Sequence, residues 1–183
     1  VFDNEETGSL TKQGADSTFL EEVLKRISLA SGKDEEGHYR AVSSSFMVSA
    51  DNAHAVHPNH PEKADPINRP MINKGIVIKF NAAQHYTTDA VSCAVYRDLC
   101  ESNDIPVQVF TNRSDTRGGS TLGNVSNAHV SLNTVDIGLA QLAMHSCYET
   151  VGARDTKHLV EAMTIFYSKT FRVDAGGSFE LLD

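Results

Sequence analysis

Apolar runs and polar segments alternate along this chain at spacings that set out a series of strands and helices. Val1-Phe2 reads as the end of a strand. Phe19, Leu20, Val23, Leu24 and Ile27 recur at helical spacing behind Asp16-Ser17, which stands where an N-cap belongs. Ser31 to Gly37 is a polar loop. Ser45-Phe46-Met47-Val48 has the length and composition of a buried strand. A long segment follows, broken by Pro58, Pro61, Pro66 and Pro70; a loop of that length without regular structure is usually functional. Gly75 to Phe80 is the next strand, with Lys79 on the face opposite Ile78, where a lysine ordinarily meets solvent. Asp89 to Glu101 predicts a helix with Val91, Ala94, Val95 and Leu99 inward. Ile105 to Phe110 and Thr134 to Gly138 read as strands. Asp155 caps a last helix carrying Leu159, Met163 and Phe166, and the tail from Phe171 is weakly patterned.

The order is strand, helix, strand, long loop, strand, helix, strand, short helix, strand, helix. It predicts an α/β fold, a three-layer sandwich with a mixed, mainly parallel sheet. With 183 residues the chain builds one domain with a sizeable core. Open α/β sheets place ligands at strand ends. Glu5-Glu6, Asp51, Asp115 and His145 all fall at such ends and are expected to converge on one rim. Asp51, His54 and His57 offer zinc-type donors within seven positions, although the spacing is no strict zinc signature and by itself favours a solvated polar loop. Glu5 beside Glu6 is either a solvated acidic turn or a pair offset by a cation or a proton. The stretch from Arg113 to Gly123 is glycine-rich but lacks the lysine of a phosphate loop.

Composition narrows the partners. The formal net charge is −8, which argues against nucleic acid or an anionic membrane as partner. No apolar run approaches the roughly 20 residues of a membrane span. The first residues carry no basic region of a secretory signal. Cys93, Cys100 and Cys147 are sparse, and Cys93 and Cys100 lie about two helical turns apart, too far to bridge. A reduced, cytoplasmic protein is the expectation.

Several blocks together resemble the aspartyl aminopeptidase family of dinuclear zinc exopeptidases. They are Phe2-Asp3-Asn4-Glu5-Glu6-Thr7-Gly8-Ser9, Ser49 to Asn59, Asn68-Arg69-Pro70, Asn73-Lys74-Gly75, Gly119-Ser120-Thr121 with Gly123, and Gln141 to Ser146. The resemblance runs from Val1 to about Phe171. It implies a zinc-exopeptidase-like fold and release of N-terminal Asp or Glu from peptides. It implies Glu5 as general base, Glu6 and His145 as ligands of one zinc, and Asp51 as a ligand of a second. It places Lys79 and Tyr86 against substrate, and His54 and His57 near the active site. A lysine there suits an acidic side chain. Manganese or cobalt would also suit such ligands. The expected assembly is a homo-oligomer, a dodecamer in the complete family.

The departures carry expectations too. Family members are more than twice this length. Their first zinc-binding His, the Asp that bridges both ions and the dimerisation domain precede the Asn-Glu-Glu block. Residues 1–183 are therefore expected to be a single partial catalytic domain, its N-terminal part missing, with little peptidase activity alone. An exposed sheet edge and apolar face are expected with it. Tyr148 and Arg117-Gly118 replace an Arg and a Pro-Cys usual in the family. The alternative to an enzyme is a non-catalytic assembly or interaction module of the same descent; retention of Glu5 counts against it.

Overall fold

The computed structural model describes residues 2–174, 176 and 178–182. The central sheet contains β1 (Phe46–Ala50), β3 (Ile76–Phe80), β4 (Val107–Thr111) and β5 (Asn133–Gly138), in the order β1-β5-β3-β4. β1 pairs with β5 and β3 with β4 in parallel, whereas β3 runs antiparallel to β5. The sheet is mixed and mainly parallel, as expected.

One face is covered by α3 (Ala90–Glu101) and α5 (Ala153–Ser168). Ile76, Ile78, Val135 and Ile137 of the sheet meet Tyr96, Leu99, Cys100 and Ala162 there. Nearly continuous apolar runs in β3 and β5 follow from burial on both faces. The opposite face packs Val77 and Phe110 against Tyr86, Ala53 and Ala140. α4 (Leu122–Asn127) lies against β1 and β5. There too stands a small sheet of β2 (Ala53–His54), β6 (Ala140–Leu142) and β7 (Thr150–Val151), in the order β2-β6-β7.

Several expectations need correction. Phe2 lies in no strand and instead meets Phe19 edge to face at 6.0 Å; Val1 is outside the described residues. α1 spans Phe19–Ala30 and starts at Thr18. Asp16 is not its cap, because its carboxylate is held by His129 Nε2 at 2.6 Å. The acidic end of the supposed loop at 31–37 opens a helix, α2 (Glu35–Ser43), whose cap Asp34 accepts the Gly37 N–H at 2.8 Å. On α3, Val91 and Ala94 point outward, and Cys93, Tyr96 and Cys100 replace them in the core. Gly152, not Asp155, precedes α5. Asp155 is fully buried and accepts the N–H groups of Asn73 and Gly75 at 2.6 and 2.8 Å, tying the first turn of α5 to the segment before β3. The tail forms a hairpin, β8 (Thr170–Val173) with β9 (Phe179–Leu182), whose Phe171 and Phe179 pack on Phe46.

Candidate active site

Three chain reversals bring the acidic and basic groups together. The segment carrying Glu5 and Glu6 is a compact loop. Asn4 bridges to Gly14, the Ala15 N–H reaches Asn4 O at 2.9 Å, and the Asp16–His129 pair fastens the loop to the residues after α4. Asp51 follows β1 directly, with its N–H on Ile137 O. Gly138 makes that approach feasible: a Cβ there would lie 2.0 Å from Asp51 O. His145 sits in the turn after β6. Ala143 and His145 have φ values of +56° and +67°, in the left-handed region that residues with a side chain rarely occupy. Such strain persists where the surroundings fix it, often at a working site.

These segments enclose one cleft of about 140 Å³, lined by Glu5, Glu6, Asp51, His54, Lys79, Tyr86 and His145 among others. His145 Nε2 stands 2.9 Å from Glu6 Oε1. Burial and the nearby Asp51 and Glu6 carboxylates push Glu5 above the ordinary glutamate range. Partial desolvation, with His145 and Lys79 adding to it, lowers His54. His57 lies in the adjoining cavity instead. Asp115 does not converge with the others: its two oxygens are held by Arg113 at 2.8 and 2.6 Å.

Lys79 is the largest departure from expectation. It is 2% exposed rather than solvent-facing. Its ammonium lies 3.7 Å from Asp51 Oδ2, 3.2 Å from Asn52 O and 5.3 Å from the centre of the Tyr86 ring. Desolvation lowers its pKa, and the Asp51 and Asp136 carboxylates oppose that shift. The β3–β5 register pairs Val77 with Gly138 and Ile78 with Ile137. One residue further along, Lys79 faces Asp136, on the same side of the sheet.

Asp136 is the residue that sequence reasoning missed. It is fully buried, and its Oδ2 accepts both the N–H and the hydroxyl of Thr87, at 2.6 and 2.7 Å. It thereby fixes the segment that carries Tyr86, whose own hydroxyl reaches Asn112 Oδ1 at 3.1 Å. A Cβ on Gly123 would lie 2.5 Å from Asp136 Oδ1, so only glycine lets α4 close over this carboxylate. An acidic residue inside an apolar strand was the available signal.

Carboxylate and imidazole are ordinary zinc donors. Glu6 with His145, and Asp51 across the cleft, fit zinc by donor type and would supply only part of a coordination shell. Among the described residues no group of three or more His, Cys, Asp or Glu is arranged to hold an ion.

Residues 1–167 match the family model for aminopeptidase I zinc metalloproteases (M18). The chain belongs to the M18 peptidase family. A probable M18 family aminopeptidase 2 of Clostridium acetobutylicum is 54% identical over 167 residues, covering 91% of this chain and 39% of the relative. The M18 aminopeptidase of Thermotoga maritima superposes with a TM-score of 0.81 at 25% identity, covering 90% of this chain and 38% of that one. The mApe1 dodecamer of S. cerevisiae gives a TM-score of 0.77 at 32% identity, covering 91% of this chain and 36% of that one. This M18 chain thus spans about two fifths of the curated relative it matches. No helix among its described residues is long and apolar enough to cross a membrane, and its three cysteines are free.

Proposed function

We propose that this chain supplies the general base and part of the zinc shell of an aminopeptidase that releases N-terminal Asp or Glu from peptides. The observation that carries the reading is the gathering of Glu5, Glu6, Asp51 and His145 around the buried ammonium of Lys79. Glu6 and His145 would hold one ion and Asp51 a second. Zinc, when bound, polarises the scissile carbonyl and makes water acidic enough to attack at neutral pH. Glu5 takes the proton of the attacking water and returns it to the leaving amine; its raised pKa suits both transfers. Lys79 draws in the side-chain carboxylate of the first residue, and the Tyr86 ring holds the ammonium in place. His54 borders the same space. The reading includes a cytoplasmic homo-oligomer, in keeping with a neighbour described as a dodecamer.

The test is Glu5→Gln in the complete natural protein. Turnover of an N-terminal Asp peptide is expected to fall at least a hundred-fold, with the native mass of the assembly unchanged. Undiminished turnover would remove Glu5 from its role. A peptide series varied only at the first residue checks the preference for Asp and Glu.

A further inference from the structure

The cleft does not end at Tyr86. It opens into a second cavity of about 330 Å³, more than twice the volume of the first, and His54, Tyr86, Phe110 and Gly119 line both. The wall of the second cavity is cationic, in a chain whose net charge is −8. His57 and His60 lie on it with ring centres 5.4 Å apart, and Lys63, Arg113 and Arg117 stand around them. The one carboxylate of this wall is Asp65. Its Oδ1 is occupied by the N–H groups of Ile67 and Asn68 and by the Asn68 side chain. Arg113 is likewise committed, to Asp115 and to Glu62 O. The side chains of Lys63 and Arg117 have no hydrogen bond or ion pair among the described residues; the nearest anion to Lys63 is Glu62, which acts on it only through space and is held by His60 Nδ1 at 3.2 Å.

An aminopeptidase leaves a single side chain on the amine side of the bond it cuts. The smaller space beside Lys79 suffices for that one residue. A larger space opening from it has to take the residues on the other side of the bond. We propose that this cavity receives the peptide downstream of the scissile bond and selects for a carboxylate there, with Lys63 and Arg117 as the receiving cations. The inference rests on the aminopeptidase reading and adds a second point of acidic recognition to it. Charges placed this way act mainly through selectivity and encounter rate, and salt screens them.

Two tetrapeptides that differ only in the charge of the second residue, Asp-Asp-Ala-Ala and Asp-Asn-Ala-Ala, provide the probe. In the complete protein the ratio of kcat/KM is expected to favour the acidic peptide by about tenfold, and to shrink as salt rises. Lys63→Glu with Arg117→Glu is expected to bring that ratio to about one or below. Both side chains are exposed, so the fold should survive the change. Calorimetric binding of both peptides to the Glu5→Gln protein reads the same preference without turnover. If neither peptide is cut but the acidic one still binds tighter, the aminopeptidase reading fails and the acidic subsite stands. Equal binding, or a preference untouched by the double substitution, overturns the subsite.

Discussion

A buried lysine is costly unless something nearby needs its charge. Lys79 has two carboxylates for company, and they come from different strands: Asp51 follows β1, and Asp136 stands in β5. Tyr86 is tied to the same arrangement, because Asp136 grips the residue next to it. A change at Asp136 would therefore shift Tyr86, which it never touches. Asp115 is the opposite case, a carboxylate at the rim with its own partner. Arg113, hydrogen-bonded to it and positively charged, holds it down at about 2. A depressed carboxylate stabilises the fold above its ordinary pKa of about 3.9, and that contribution disappears as pH falls through the folded value. The Asp115 carboxyl resonance is expected to titrate near pH 2. In Arg113→Gln its midpoint should return to the ordinary aspartate range; an unmoved midpoint would show that Arg113 is not the cause.

Among the elements, α3 and α5 show how one acidic residue can do different work. Asp89 caps α3 and shares a capping box with Ser92. Asp155 sits in the first turn of α5 but serves the backbone before β3. Asp155→Ala would strand the buried N–H of Gly75 and the half-buried N–H of Asn73, and is expected to cost about 2 kcal/mol in urea unfolding of the complete protein. A loss below roughly 0.5 kcal/mol would mean that water replaces the carboxylate. From the sequence both positions look like helix starts, because capping signals are local and the partner of Asp155 lies 80 residues away. The same limit explains the other misreadings. The apolar runs of β1, β3, β4 and β5 were legible because burial writes itself into consecutive residues. α2 was not, since its first turn is acidic and resembles a loop. The burial of Lys79 was illegible along the chain, because it depends on which strand lies beside β3. The candidate site was legible chiefly as blocks resembling a family; spacing alone favoured a polar loop for Asp51, His54 and His57.

At the scale of the whole molecule, the sheet ends at β1 and β4. Beside β1 an apolar groove of about 470 Å³ runs between α1 and α5, lined by Leu24, Ile27, Phe46, Met163 and Phe166. Phe19, Ile27, Val160 and Tyr167 add exposed apolar surface on those two helices. Surface of this kind favours association. The 183-residue chain by itself is expected to self-associate, and to bind an apolar dye such as ANS more than the complete protein does. It should also show little peptidase activity, because no group of three or more His, Cys, Asp or Glu among its described residues is arranged to hold an ion. Robust turnover by this chain, abolished by a chelator, would contradict that expectation. A monodisperse monomer by light scattering would contradict the association.

The contact between Glu6 and His145 joins residues 139 positions apart. At the pace of synthesis, about 5–20 residues per second, the glutamate waits on the order of ten seconds or longer for its histidine to be made. Throughout that interval the nascent chain carries the proposed general base and the proposed ligand Glu6 without the histidine that Glu6 meets in the folded chain. A site divided in this way cannot close until residue 145 has been made.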